Sequence, residues 1–187
     1  MTSMADAKLL KRELLLDAPK RFVREVLMMP DGFHLDWFYV DTPPSVLVVP
    51  VTDRGQLVMV SQYRHNLKRH ALEFPAGTVN DAEDLDDAAQ RELSEETGYQ
   101  LPSDGKLVPL GAFYSLPSET NKTTHIYLAR GVVPGGPAKG DTEIEKYFDM
   151  SVHEISTADA VSSIGTQIAG TETVTALMLA MNSLQEH

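Results

Sequence analysis

The strongest helical periodicity in the sequence, over residues 84–97, carries two of its acids on the wrong side. At about 100° per residue, Leu85, Ala88 and Ala89 form one apolar stripe and Leu93 extends its edge. Glu92 and Glu96, one turn apart, fall inside that stripe. Asp84, Asp87, Gln90, Arg91, Ser94 and Glu95 fall on the other side or its flank. A charge run is usually a solvated helix face, but such a face does not set carboxylates among alanines and leucines. A carboxylate aimed at a core is costly unless something compensates it, and two acids one turn apart also repel. A bound divalent cation removes both costs, and carboxylate oxygens at this spacing suit Mg²⁺, with Mn²⁺ as the alternative. Arg91 is placed to reach Asp87 one turn back and Glu95 one turn ahead, locking the acidic cluster. Gly98 reads as the left-handed residue that ends the helix.

The rest of the composition narrows the setting. With 187 residues, of which 42% are apolar, the chain is long enough for one compact domain with a buried core. It contains no cysteine, which excludes a disulfide framework, thiol catalysis and a cysteine metal site. A formal net charge of −11 repels a phosphate backbone, so no nucleic-acid partner is expected. Small phosphorylated substrates stay open, because metal ions neutralise their charge locally. The longest apolar run, Ser45 to Val51, is far short of a membrane span. The N-terminus has no basic start followed by an apolar core. A cytoplasmic protein without a membrane partner is therefore expected.

Residues 5–16 read as a short helix, with Leu9, Leu10, Leu14 and Leu15 on one broad face, stopped by Asp17-Ala18-Pro19. Arg21 to Met29 and Phe33 to Val40 read as a hairpin about the turn Pro30-Asp31-Gly32. Ser45 to Val51 reads as a buried strand, Asp53-Arg54-Gly55 as a turn and Gln56 to Tyr63 as the next strand. Beyond the acidic helix, strands are expected near 107–115, 123–130 and 145–150, with a Gly/Pro-rich loop over 134–140. Two helices are expected around 151–163 and 172–185, the second capped by Thr171. This is an α/β pattern, a mixed sheet with helices on its faces. The expected division is an N-terminal segment over 1–20 and a single domain over 21–187.

Gly77, Glu83, Arg91, Glu92, Leu93, Glu95, Glu96 and Gly98, with Tyr99 in the last apolar place, resemble the Nudix box, G-x5-E-x7-R-E-U-x-E-E-x-G-U with U apolar. The hydroxyl of Tyr99 is a mild departure. Nine positions at fixed spacing over residues 77–99 make the motif specific. Gln62-Tyr63-Arg64 and Glu73-Phe74-Pro75-Ala76-Gly77 resemble the strands ahead of the box in the ADP-ribose pyrophosphatase branch, so the likeness spans roughly residues 20–155. The resemblance implies a Nudix-type α/β/α sandwich with a mixed β-sheet and an N-terminal β-hairpin extension. It implies that Glu92 and Glu96 bind the metal, that Glu95 contributes, and that the Ala76 carbonyl completes the shell. It implies that Glu83, the earlier acid, organises the box or binds metal indirectly. In related pyrophosphatases the general base is a glutamate on a late loop. Asp141-Thr142-Glu143-Ile144-Glu145 occupies the matching place, with Glu143 favoured and Glu145 the alternative, because a two-residue shift exchanges them.

The implied reaction is metal-dependent hydrolysis of the diphosphate bond in a nucleoside diphosphate-linked compound, ADP-ribose or another ADP-sugar first, giving AMP and a sugar phosphate. GDP-mannose, UDP-glucose and a dinucleoside polyphosphate are the alternatives within enzymes. A nucleotide-sensing domain without turnover is the reading from another class. Every box acid is kept, which ranks sensing below catalysis. On the substrate side, Arg64 reads either as a phosphate grip or as a surface ion pair, and Glu73, ahead of the box, is a further substrate-binding candidate. Trp37, the only tryptophan, reads as a base-stacking ring or as a core aromatic of the hairpin. Pro117 falls where ADP-ribose pyrophosphatases carry a proline, although Leu116 and Ser118 depart from the surrounding pattern and Glu119 comes early. Serine in place of glycine changes which backbone angles are easy there. His34, His65 and His70 lack ligand spacing. The resemblance further implies a homodimer with the N-terminal hairpin as the contact.

Overall fold

The structure is a computed structural model that describes residues 3–138 and 147–185. Its contacts divide the chain into two compact units, Met1–Pro43 with Tyr114–Thr123, and Pro44–Phe113 with Thr124–His187.

The first unit is built on a three-stranded antiparallel sheet of β1 (Lys8–Leu16), β2 (Arg21–Met28) and β3 (His34–Asp41), in the order β1-β2-β3. The expected hairpin is β2–β3. Its turn closes with the Gly32 N–H on the Met29 carbonyl at 2.9 Å, and Gly32 has a positive φ of 85°. The helix expected over 5–16 is instead a short 3₁₀ turn, Met4–Asp6, followed by β1. Two register shifts, between Leu9 and Lys11 and between Leu14 and Leu16, break the two-residue alternation that would have announced a strand. Pairing to β2, reinforced by Arg24 on Glu13 at 3.0 Å, overrides the helical propensity of this leucine- and lysine-rich stretch.

The second unit holds β4 (Ser45–Thr52), β5 (Leu57–Arg64), β6 (Arg69–Glu73), β7 (Ala76–Thr78), α1 (Leu85–Thr97), β8 (Tyr99–Gln100), β9 (Leu107–Tyr114), β10 (Thr123–Pro134), β11 (Ser151–Ile155), α2 (Thr157–Ser162) and α3 (Thr171–Gln185). The sheet order is β11-β5-β4-β10-β8, with β6 on β5, β7 on β4 and β9 on β10. Only the β4–β10 pair among the registered ones is parallel, so the sheet is mixed. Every residue of β4 is buried, which explains its unbroken apolar run. Val46 and Val48 pack with Val58 against Ala88, Ala89 and Leu93 of α1. Leu47, Val49 and Val51 pack with Met59 against Ala176, Leu177 and Ala180 of α3 and Ala160 of α2. The unit is thus an α/β/α sandwich, as expected.

Its C-terminal part departs from expectation. The strand expected at 145–150 is β11, starting at Ser151; residues 147–150 form no strand, and 145–146 lie outside the described residues. The helix expected from 151 shrinks to α2. Ser151 to Ile155 pairs antiparallel with β5, and Ser156 then caps α2, its Oγ accepting the Asp159 N–H at 3.1 Å. Thr171 is the first residue of α3 rather than the residue before it. Among the described residues no helix is long and apolar enough to cross a membrane.

Candidate functional site

Helix α1 starts at Asp84, whose Oδ1 accepts the Asp86 N–H at 2.8 Å, and ends at Gly98 with φ 72°. A Cβ on residue 98 would overlap the Gly136 carbonyl, so glycine is required there by space as well as by φ. The buried residues of α1 are Ala88, Ala89, Glu92, Leu93 and Thr97. Glu92, 8% exposed, therefore does lie on the core face. What makes room for it is Gly77 on β7: a Cβ at residue 77 would overlap the Glu92 carboxylate. Glu96, half-buried one turn on, accepts the Ala76 N–H on Oε2 at 3.1 Å. Both core-side acids thus address one strand, at Ala76 and Gly77.

Arg91 ties the remaining acids to this point. Its Nε and Nη2 donate to the two oxygens of Glu83 at 2.7 and 3.0 Å. Its Nη1 donates to Glu92 at 2.7 Å and Glu95 at 3.0 Å, and Nη2 also reaches the Thr78 carbonyl at 3.0 Å. The expected partner Asp87 is replaced by Glu83, which the loop before the helix delivers to the guanidinium as a two-pronged acceptor. Glu83 also accepts the Asn80 N–H at 2.8 Å. These bonds, Arg91 first, push the Glu83 carboxyl down from 4.5 to about 2. Arg91 is in turn held protonated by Glu83 above all.

A depressed carboxyl stabilises the fold above its unfolded pKa, and that contribution fades as pH falls through the folded value. Glu83→Gln is accordingly expected to lower stability at pH 7, with the gap to the parent narrowing between about 4.5 and about 2. Urea unfolding of both proteins across that range checks it. A gap that stayed constant down to the lower limit would remove the Glu83–Arg91 pair as its cause.

Among the described residues no three His, Asp or Glu side chains converge as a ready-made metal cluster. Glu92, Glu95 and Glu96 bond instead to Arg91 and the Ala76 amide. The donor set nevertheless fits a divalent cation. Carboxylate oxygens and the Ala76 carbonyl are hard donors. Three carboxyl groups, Glu83, Glu92 and Glu95, share a single guanidinium, and one of them, Glu92, is buried beside a glycine of β7.

Arg64 ends β5 opposite Arg69 and Glu73 ends β6 opposite Val60, so the Arg64 side chain reaches back along the pair to Glu73. Arg64 Nε lies 3.0 and 3.2 Å from the two Glu73 oxygens, and Nη2 closes the fork on Oε2. Gln62, 4% exposed, donates Nε2 to the same Oε2 at 3.2 Å. The pKa of Arg64 is raised, by the Glu73 bond first and by the charges of Glu96 and Glu172 after it. Sequence reasoning left Gln62 without a role. Its signal was a polar side chain in a strand otherwise packed into the core.

In the first unit, Trp37 and Pro117 line one cleft of about 280 Å³. Glu25, Trp37 and Tyr39 come from the sheet; Tyr114, at the end of β9, and Pro117, Thr120 and Asn121, just after it, face them. Trp37 is 38% exposed, so it is not the core aromatic of the hairpin. The Tyr39 hydroxyl donates to Glu25 Oε1 at 3.2 Å. Glu25, Tyr39, Tyr114 and Asn121 were not singled out from the sequence, because no local spacing relates them. Glu143 and Glu145 lie outside the described residues.

Comparison with known proteins gives a consistent result. A model of the NUDIX domain matches residues 41–168. The chain is 29% identical over 164 residues to an ADP-ribose pyrophosphatase of Bacillus subtilis (strain 168), a match covering 88% of this chain and 85% of that one. It is 29% identical over 155 residues to an ADP-sugar pyrophosphatase of Mus musculus, covering 73% and 69%. A crystal structure described as an ADP compounds hydrolase superposes with a TM-score of 0.81 at 20% identity, covering 98% of this chain and 97% of that one. At that identity the likeness speaks for the fold.

Proposed function

The chain belongs to the NUDIX domain family, and on that footing we propose that it hydrolyses the diphosphate bond of an ADP-sugar, ADP-ribose foremost, to AMP and a sugar phosphate. The relatives that are ADP-ribose and ADP-sugar pyrophosphatases support the substrate class. The observation that carries the chemistry is the buried Glu92 carboxylate, seated where Gly77 leaves space for it beside the Ala76 amide that binds Glu96.

A diphosphate resists attack because its negative oxygens repel a nucleophile. A divalent cation, Mg²⁺ in this proposal with Mn²⁺ as the alternative, supplies the neutralising charge when bound. Glu92, Glu96 and the Ala76 carbonyl would hold it, with Glu95 contributing. Arg91, anchored by Glu83 and Thr78, keeps Glu92 and Glu95 in place. Gln62 and Glu73 orient Arg64, whose fork to Glu73 uses Nε and Nη2; Nη1 would meet a phosphate oxygen. Trp37 stacks on the nucleobase, with Pro117 on the other side of its cleft. Glu143 or Glu145 takes the proton of the attacking water. The proposed molecule is cytoplasmic, does not bind nucleic acid, and consists of an N-terminal segment over 1–20 and one Nudix domain over 21–187. It is a homodimer joined through the N-terminal hairpin, whose sheet exposes Leu9, Leu15, Phe22 and Phe38. A monomer mass in light scattering at assay concentration would remove the dimer.

The test is incubation with ADP-ribose, GDP-mannose, UDP-glucose and a dinucleoside polyphosphate, with Mg²⁺ or with EDTA, and product identification by mass. Metal-dependent release of AMP and ribose phosphate from ADP-ribose is the expected result. Turnover confined to another nucleotide would remove the ADP-sugar assignment, and binding without turnover would remove catalysis.

A further inference from the structure

The segment that carries Tyr114, Pro117 and Asn121 is bolted to the end of β3 over Val40, Asp41 and Thr42. Val40 bridges to Thr120: the Val40 N–H donates to the Glu119 carbonyl at 2.9 Å, and Thr120 Oγ1 donates to the Val40 carbonyl at 2.9 Å. Asn121 then makes two bonds of opposite sense. Its Oδ1 accepts the Thr42 N–H at 2.8 Å, and its Nδ2 donates to Asp41 Oδ1 at 2.7 Å. The amide has no second orientation, because a flip would set oxygen against carboxylate and nitrogen against N–H. Asp41 is divided in the same way. Its Oδ1 serves Asn121, while Oδ2 accepts Arg12 of β1 at 2.9 Å and pairs with Arg21 of β2 at 3.2 Å. Asp41 therefore joins all three strands to the segment. Its carboxyl is held below the ordinary range, by the Asn121 bond first.

Trp37, Tyr39 and Asp41 alternate along β3 and share one face of the sheet. Glu25 stands opposite Trp37, and Arg12 opposite Glu25, in one cross-strand row. The cleft thus has one wall built from the sheet and a second wall, Tyr114 to Asn121, whose bond to Asp41 lies at the end of that same face.

We propose that Asn121 is a positioning residue: by bonding Asp41 and Thr42 at once it sets the width of the cleft between Trp37 and the Tyr114–Pro117 wall, and so the affinity for the planar group held there. The effect on affinity rests on the reading of Trp37 as the seat of the nucleobase. The effect on the cleft does not.

Because Trp37 is the only tryptophan, its fluorescence reports on the cleft without labelling. In Asn121→Ala, acrylamide quenching of the ligand-free protein is expected to increase. KM for ADP-ribose should rise about tenfold, the size of one lost hydrogen bond to a charged group, with kcat moving far less. Exchanging the partners, Asp41→Asn with Asn121→Asp, restores the bond with donor and acceptor reversed, leaves an amide oxygen at position 41 to accept from Arg12 and Arg21, and keeps one negative charge in the cluster. That pair should recover most of the lost affinity, whereas Asn121→Asp alone, which sets two carboxylates together, should be worse than Asn121→Ala. Unchanged Trp37 quenching in Asn121→Ala, or an exchanged pair no better than Asn121→Ala, overturns the positioning role. Altered quenching with unchanged KM upholds the latch and instead removes the base seat.

Discussion

Glu96→Gln is expected to lower turnover of ADP-ribose by on the order of 10³-fold or more, the scale set when several kcal/mol of transition-state charge stabilisation are lost. The substitution is nearly isosteric. The amide oxygen of glutamine still accepts the Ala76 N–H that Glu96 now receives at 3.1 Å, and the helix keeps its packing. The negative charge is what disappears. Stability should therefore change by less than about 1 kcal/mol, the range of one ordinary hydrogen bond, while Mn²⁺ binding followed by electron paramagnetic resonance weakens in parallel with activity. Glu92→Gln is expected to lose as much activity and to be less clean. Glu92 is buried and accepts Arg91 Nη1 at 2.7 Å, so an amide NH₂ placed there would face a cation. Activity of Glu96→Gln within tenfold of the parent, with unchanged Mn²⁺ affinity, would sink the proposed metal site.

The acidic helix was legible because its oddity is local. Glu92 and Glu96 contradict the apolar stripe of their own helix, and a wheel shows the contradiction without any tertiary information. The same holds for β4, whose unbroken apolar run is buried on both faces, and for the β2–β3 hairpin, announced by its turn residues. What escaped is what depends on distant partners. Arg91 was expected to use Asp87 because both lie on one helix, but Glu83 wins, since a loop brings it up to present both oxygens at once. β1 reads as a helix because its two register shifts erase the alternation, and only the partner strand decides the matter. Asn121 meets Asp41 and Thr42 across about eighty residues of sequence, a separation over which no periodicity speaks. A carboxylate set against the apolar stripe of its own helix is written in the sequence, whereas the choice of its partners is settled by the loops and strands that the fold brings up.

Gly77→Ala is the second large effect, and it tests the same centre from the backbone side. Residue 77 has no positive φ, so alanine costs nothing in backbone conformation. The added methyl instead overlaps the Glu92 carboxylate, which is buried and held by the Arg91 bond. Something must give. Overpacking of this kind costs about 1–3 kcal/mol, and a displacement of roughly 1 Å at a reacting centre costs on the order of 10²-fold in rate. Gly77→Ala should thus lose both stability and activity, where Glu96→Gln loses activity alone. Combining it with Glu92→Asp separates the two losses. Shortening the acid by one methylene makes room for the new methyl, so the double variant should recover much of the stability lost by Gly77→Ala, a coupling that a double-mutant cycle in urea measures directly. It should not recover activity, because the carboxylate is then drawn back from Ala76 and Gly77. Additive stability losses in that cycle would mean that residue 77 and Glu92 do not compete for the same space, and glycine would then owe its place on β7 to something other than the carboxylate it faces.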